Sequence, residues 1–184
     1  MRIVAGSAKG VRLAPVPRGV RPVSDMAREG LFSSLGSSVA GARVLDLYAG
    51  SGALGIEALS RGARTSVFVE RDRAALRTIR DNLRRTRLGE RAVVLGMDAR
   101  AFVTRDDKNG APFDLVLADP PYDMAGPELE GVLTSLGRGW LGAAGWTVAL
   151  TRRKGSSTLV IPVHWSAARR LEYGDTLVLL LREA

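Results

Sequence analysis

The stretch on which the fold turns is Asp46-Leu47-Tyr48-Ala49-Gly50-Ser51-Gly52-Ala53-Leu54-Gly55. Val44 to Tyr48 is an unbroken apolar run apart from Asp46, which suits a strand buried on both faces. Gly50, Gly52 and Gly55 then form G-x-G-x-x-G, and Ala53–Arg61 has the composition of a helix. Glycines between a strand and a helix let a ligand approach the backbone at a helix N-terminus. Dinucleotide-binding enzymes share this spacing, so the glycines alone do not choose a ligand. Asp46 does. A carboxylate four residues before Gly50 repels a pyrophosphate but suits a cationic amino-acid ligand. S-adenosylmethionine has an α-ammonium, a sulfonium and no phosphate, so the local chemistry favours it over NAD.

Outward from this loop, strands and helices alternate. Thr65–Val69 reads as a strand, and Asp72 to about Arg87 as a helix with Leu76, Ile79 and Leu83 inward. Ala92–Leu95 and Phe113–Ala118 read as further strands, separated by the loop Arg105–Pro112. A helix over Pro127–Leu136 precedes a strand at Trp146–Leu150. Arg169–Glu172 and Thr176–Leu181 make a final hairpin around Tyr173-Gly174-Asp175. The expected fold is α/β and Rossmann-like, a mostly parallel sheet covered on both faces with an antiparallel edge hairpin. The C-terminal unit runs over 42–184.

Residues 1–41 form a separate extension in this reading. Ile3–Gly6 and Val11–Leu13 read as a hairpin around Ser7-Ala8-Lys9-Gly10. A link rich in Pro15, Pro17, Gly19 and Pro22 follows, and Ser24 or Asp25 caps a helix with Ala27, Leu31 and Leu35 on one face. Its bases, Arg2, Lys9, Arg12, Arg18, Arg21 and Arg28, outnumber Asp25 and Glu29.

Composition narrows the chemistry. The chain has 184 residues, 46% of them apolar, with 27 Lys and Arg against 19 Asp and Glu, a net charge of +8. Such a field attracts polyanions, nucleic acid foremost. With no cysteine there is no thiol nucleophile, thiolate zinc site or iron–sulfur cluster. His164 is the single histidine, so no metal site is expected. No apolar run approaches the 18 or so residues of a membrane span, and the N-terminus lacks a signal-peptide core. A soluble cytoplasmic monomer is expected.

Three more sites complete the pattern. Glu70 ends the second strand, where an acid can accept two ribose hydroxyls; a solvated acid pairing with Arg71 or Arg73 is the plainer alternative. Asp98 follows Val93-Val94-Leu95-Gly96-Met97 and can take an adenine amino hydrogen, or simply cap the helix Ala99–Thr104. Asp119-Pro120-Pro121-Tyr122 follows the strand Leu115–Ala118. An exocyclic base amine is a poor nucleophile because its lone pair is delocalised. A carboxylate and a backbone carbonyl that accept both its hydrogens aim that lone pair at an incoming methyl. Pro120 and Pro121 hold the carbonyls rigidly, and Tyr122 gives a splayed base a face to stack on. Elsewhere, Arg73, Arg77, Arg80, Arg84 and Arg87 stripe one helix face, more naturally a solvated face than an RNA contact.

Taken together, Asp46 with Gly50, Gly52 and Gly55, then Glu70, Asp98 and Asp119-Pro-Pro-Tyr122, resembles the class I S-adenosylmethionine-dependent methyltransferases. More narrowly, Met1-Arg-Ile-Val-Ala-Gly6, Arg21-Pro-Val-Ser-Asp25, Arg28-Glu-Gly-Leu-Phe32 and Val44 to Gly55 resemble the RsmD family. The likeness extends to Tyr173-Gly174-Asp175-Thr176. That family methylates the N2 amine of one guanine, the position named 966, in bacterial 16S ribosomal RNA. The resemblance implies a seven-stranded sheet and S-adenosylmethionine as donor. It also implies 16S rRNA, in the small subunit or an assembly intermediate, as partner. Donor contacts then fall to Asp46, Tyr48, Gly50, Ser51, Gly52, Gly55, Glu70, Arg71, Asp98 and Ala99. Catalysis falls to Asp119, Pro120, Pro121 and Tyr122, and RNA contact to Arg2, Lys9, Arg12, Arg18, Arg21, Ser24 and Arg28. Two departures stand out: Tyr122 where the family often has Phe, and Thr151-Arg152-Arg153-Lys154 where an acid commonly follows the fifth strand. The competing readings are a DNA adenine-N6 methyltransferase, an NAD-dependent oxidoreductase and a non-catalytic ribosome-assembly factor.

Overall fold

A computed structural model describes residues 1–14, 23–143, 145–156 and 159–184. The elements are α1 (Asp25–Leu35), β1 (Arg43–Leu47), α2 (Ala53–Ser60), β2 (Thr65–Glu70), α3 (Arg73–Thr86), β3 (Ala92–Gly96), α4 (Ala99–Val103), β4 (Leu115–Ala118), α5 (Gly126–Leu136), β5 (Thr147–Arg153), β6 (Trp165–Tyr173) and β7 (Thr176–Glu183). The strands form one sheet in the order β3-β2-β1-β4-β5-β7-β6. β1 to β5 pair in parallel, and β7 runs antiparallel to both β5 and β6. The chain therefore reverses its winding direction between β1 and β4, and ligands of such sheets bind at the carboxyl ends of the strands at that point.

Residue alternation along the strands sends side chains to two layers. Val44, Phe68, Leu115 and Leu117 face α1, α2 and α3, where Leu31, Ile56, Ile79 and Leu83 are buried. Leu45, Leu47, Val69 and Val116 face α4 and α5, around Phe102, Leu133 and the fully buried Trp140. The Trp140 indole N–H donates to the Val103 carbonyl at 2.8 Å, which satisfies its one polar atom. Helix α3 splits as its sequence predicts: Ala75, Leu76, Ile79 and Leu83 are buried, while Arg73, Arg77, Arg80 and Arg84 lie on its outer face with Arg87 just beyond its end. Asp72 caps its start by accepting from Ala75 N–H at 2.7 Å.

The third glycine of the loop explains itself by packing. A Cβ at Gly55 would lie 2.4 Å from Phe68 Cε1 and 2.8 Å from Ser66 Oγ, so α2 can rest on β2 only with glycine there. Gly55→Ala should cost on the order of 1–3 kcal/mol of stability through overpacking, read as a lowered urea midpoint with unchanged m-value. Gly30 lets α1 meet β6 in the same way, with Tyr173 Oη 1.8 Å from where its Cβ would sit.

The N-terminal hairpin forms, but not as two strands. Arg2 and Arg12 make one antiparallel bridge, and Ile3 N–H donates to Val11 O at 3.0 Å. Ile3, Ala8 and Leu13 are buried in the same core as α1 to α3. Glu57, inside the otherwise apolar α2, accepts from Val4 N–H at 2.9 Å and Ala5 N–H at 3.0 Å. Ser60 Oγ accepts from Ala8 N–H at 2.9 Å. Residues 1–14 are thus laced to α2 by the Glu57 and Ser60 side chains and by Ser7 N–H to Ser60 O at 2.8 Å, rather than by sheet pairing. Among the described residues, no helix is long and apolar enough to cross a membrane.

Candidate active site

The carboxyl ends of β1, β2 and β4 open onto a cleft of about 500 Å³. Backbone bonds lock those ends together: Ala49 N–H donates to Val69 O at 3.1 Å, and Met97 N–H to Glu70 O at 3.0 Å. The cleft is lined by Asp46, Tyr48, Gly50, Ser51, Glu70, Arg71, Asp98, Ala99 and the whole of Asp119 to Tyr122. Gly52 and Gly55 do not line it. Their part is to shape the loop: Gly52 holds φ +77°, a left-handed conformation natural to glycine, and Gly55 admits β2. Tyr48 also sits at a positive φ, +59°, uncommon for a non-glycine residue.

Each acid has a distinct local job. Asp46 is buried and accepts from Gly55 N–H at 2.9 Å, fixing the first turn of α2. Burial raises its pKa, the Gly55 bond opposes that, and the Asp119 and Glu70 charges add to the rise. Glu70 accepts from Gly50 N–H at 2.9 Å with one oxygen, and from Arg71 and Asp72 N–H at 2.8 Å with the other. It therefore pins the glycine loop from the neighbouring strand. Asp98 Oδ1 caps α4 through Arg100 and Ala101 N–H, and the residue also lines the cleft. Its other oxygen is 3.5 Å from Arg71 Nη1.

Asp119 projects from the end of β4, where Thr151 Oγ donates to its carboxylate. Register explains the pair: Ala118 lies beside Leu150, so the next residues of β4 and β5 meet. Burial pushes the Asp119 carboxyl up to about 6, with the Thr151 hydrogen bond pulling the other way. Pro120 is buried, whereas Pro121 and Tyr122 lie at the open rim.

Among the described residues, the lining holds six carboxylates, Asp46, Glu70, Asp72, Asp98, Asp119 and Asp123, against two arginines, Arg28 and Arg71. An acidic cleft in a chain of net charge +8 suits a cationic ligand with hydroxyls to donate, and it disfavours a pyrophosphate. The donor and acceptor set thus fits the ligand class that the sequence indicates.

Not every expected position lies where the charge pattern places it. Arg2, Lys9 and Ser24 are exposed, as is Arg12 opposite Arg2, and Ser24 Oγ caps α1 by accepting from Ala27 N–H at 3.1 Å. Arg18 and Arg21 lie outside the described residues. Arg28 is a correction: it is fully buried and cannot meet RNA at the surface. Its guanidinium contacts Asp25 at 3.0 Å and Glu57 at 3.5 Å, and it donates to the Arg2 carbonyl. Sequence reasoning also passed over Thr151 and Asn82. Asn82 is buried, donates to Ser51 O at 2.9 Å and accepts from Ala14 N–H at 2.6 Å, tying the glycine loop to the N-terminal segment. An Asn on the apolar face of α3 was its only sequence signal.

Comparison with known proteins agrees with this geometry. A family model described as Conserved hypothetical protein 95 matches residues 1–182. The ribosomal RNA small subunit methyltransferase D of Escherichia coli K12 is 35% identical over 178 residues, 95% of this chain and 86% of that one. The chain belongs to the RsmD family. Solved structures extend the match along the whole molecule. The Escherichia coli protein yhhF superposes with a TM-score of 0.87 at 33% identity, over 100% of this chain and 97% of that one. A hypothetical protein of Thermus thermophilus gives 0.82 at 35% identity, over 100% and 99%. The RsmD likeness therefore includes the N-terminal hairpin and α1, not only the cleft. Family membership makes this a ribosomal RNA methyltransferase.

Proposed function

We propose that this chain transfers a methyl group from S-adenosylmethionine to the exocyclic N2 amine of a guanine in 16S rRNA of the small subunit, the 966-type position, in the cytoplasm. The observation that carries the reading is the placement of Asp119-Pro120-Pro121-Tyr122 in the same cleft as Asp46, Glu70 and Asp98. S-adenosylmethionine, when bound, supplies an electrophilic methyl on a sulfonium. Asp46 and the Gly50–Ser51 backbone hold the methionine end, Glu70 the ribose hydroxyls, and Asp98 with Ala99 the adenine. Asp119 accepts a hydrogen bond from one N–H of the target amine, and the backbone carbonyl of Pro120, held in place by the two proline rings, accepts from the other. Tyr122, 36% exposed at the rim, stacks the extruded base. Arg2, Lys9 and Arg12 on the hairpin contact phosphate, as do Arg18 and Arg21 in the link that follows.

The test offers methyl-labelled S-adenosylmethionine with three acceptors in parallel: small subunits that lack the modification, free 16S rRNA, and duplex DNA. Label in either RNA sample supports the reading. Label in DNA alone would replace it with the adenine-N6 alternative. RNA transfer should also fall steeply with added salt, by about 10-fold or more between roughly 50 and 200 mM if several arginines release counterions.

A further inference from the structure

The interior of the N-terminal half holds a cation whose donors are incompletely used. Arg28 is 0% exposed, yet it lines the inner wall of the cleft together with Val23, Ser51 and Leu54. Its Nη2 is spent on Asp25 and on the Arg2 carbonyl. Nη1 and Nε have no hydrogen-bond partner, although Nε is 3.5 Å from Glu57 Oε2. Glu57 is itself shared with Arg61 at 2.7 Å and with the amides of Val4 and Ala5. A buried guanidinium with an unused N–H edge is costly, so the open edge calls for a partner. Among the described residues, no other cation lines that end of the cleft. The second lining arginine, Arg71, stands beside Asp98.

We infer that Arg28 is a donor-binding residue, whose free guanidinium edge takes the α-carboxylate of the methyl donor. The inference rests on S-adenosylmethionine being the donor. The acids of the cleft answer every cationic and hydroxyl group of that ligand, but each of them repels its one anionic group. Arg28 supplies the missing complement. It also gives α1 a reason to form part of the cleft, and it makes the site able to tell an amino acid from an amine.

The test uses the full chain and isothermal titration with two ligands: S-adenosylmethionine, and its decarboxylated analogue, which keeps the ammonium and the sulfonium. The wild-type chain should bind the carboxylated ligand roughly 10–100-fold more tightly, the range of a charge-assisted hydrogen bond. In Arg28→Met that preference should collapse while affinity for the decarboxylated analogue is kept. Arg28→Lys, which retains a cation beside Glu57, serves if the methionine variant does not fold, and it should lose most of the preference because it lacks the bidentate fork. Equal wild-type affinity for both ligands would overturn the inference, as would a variant that weakens both alike, since that marks a purely structural arginine. Binding of neither ligand would instead sink the donor reading, and this inference with it.

Discussion

Asp119→Ala should lower kcat by on the order of 10²–10³-fold, the loss typical when one preorganised polar contact to the reacting group is removed. Donor affinity should be unchanged, because Asp46, Glu70 and Asp98 remain in place. Asp119→Asn keeps an oxygen that can accept from the amine but loses the negative charge, so it should be impaired less than Asp119→Ala. The asparagine variant has a second signature. Burial raises the Asp119 carboxyl to about 6, so its protonated form is favoured in the folded chain. A raised acid contributes stability that is full below its unfolded value near roughly 4 and is lost as pH climbs through about 6. At about pH 7.5 the carboxylate is therefore a burden on the fold. Asp119→Asn should raise Tm by roughly 2–8 °C there, taking the burden as on the order of 1–2 kcal/mol, and much less at about pH 4. For the same reason kcat of the wild-type chain should fall as pH drops below about 6, where the acceptor becomes protonated. A flat profile between about pH 5 and 8 would contradict the acceptor role.

Glu57→Ala should be the most damaging single change away from the cleft. Its carboxylate is fully buried, bonded to Arg61 and to the amides of Val4 and Ala5, and faces Arg28. Removing it leaves the half-exposed Asp25 as the remaining carboxylate beside the buried Arg28 cation, and it strips the Val4 and Ala5 amides of their acceptor on α2. Breaking one side of a buried pair costs about 3–5 kcal/mol, and Tm should drop by roughly 6–20 °C. Glu57→Gln keeps an acceptor for the amides and should fall between the two. Thermal melts followed by circular dichroism decide this. A Glu57→Ala chain as stable as the wild type would show that the Glu57 carboxylate does not hold the hairpin.

The sheet, its helices and the order of the acids were legible because each rests on local pattern. Apolar runs marked β1, β2 and β4, and helical spacing marked α3. Strand bounds moved where pairing, not composition, sets the end: β5 continues to Arg153 because β7 extends alongside it. The cleft acids were legible for the same reason, since each follows or sits within a strand that the sequence marks. What stayed hidden depends on elements meeting across the fold. Arg28 reads as one base among six near the N-terminus, yet Arg28, Leu31, Phe32 and Leu35 share the inward face of α1. That spacing was the available signal, and the charge count masked it. Glu57, a lone acid in an apolar helix, hinted at a buried partner without saying which one. Thr151 could be matched to Asp119 only once β4 and β5 were neighbours in a known register.

The most direct test of the account digests small subunits to nucleosides after incubation with methyl-labelled S-adenosylmethionine and this chain, and identifies the product by mass spectrometry. The predicted product is N2-methylguanosine, formed by the wild-type chain and not by Asp119→Ala. Label in N6-methyladenosine would keep the amine chemistry and contradict the substrate. Label in a ring-carbon-methylated base, or equal transfer by Asp119→Ala, would contradict the role given to Asp119-Pro120-Pro121-Tyr122.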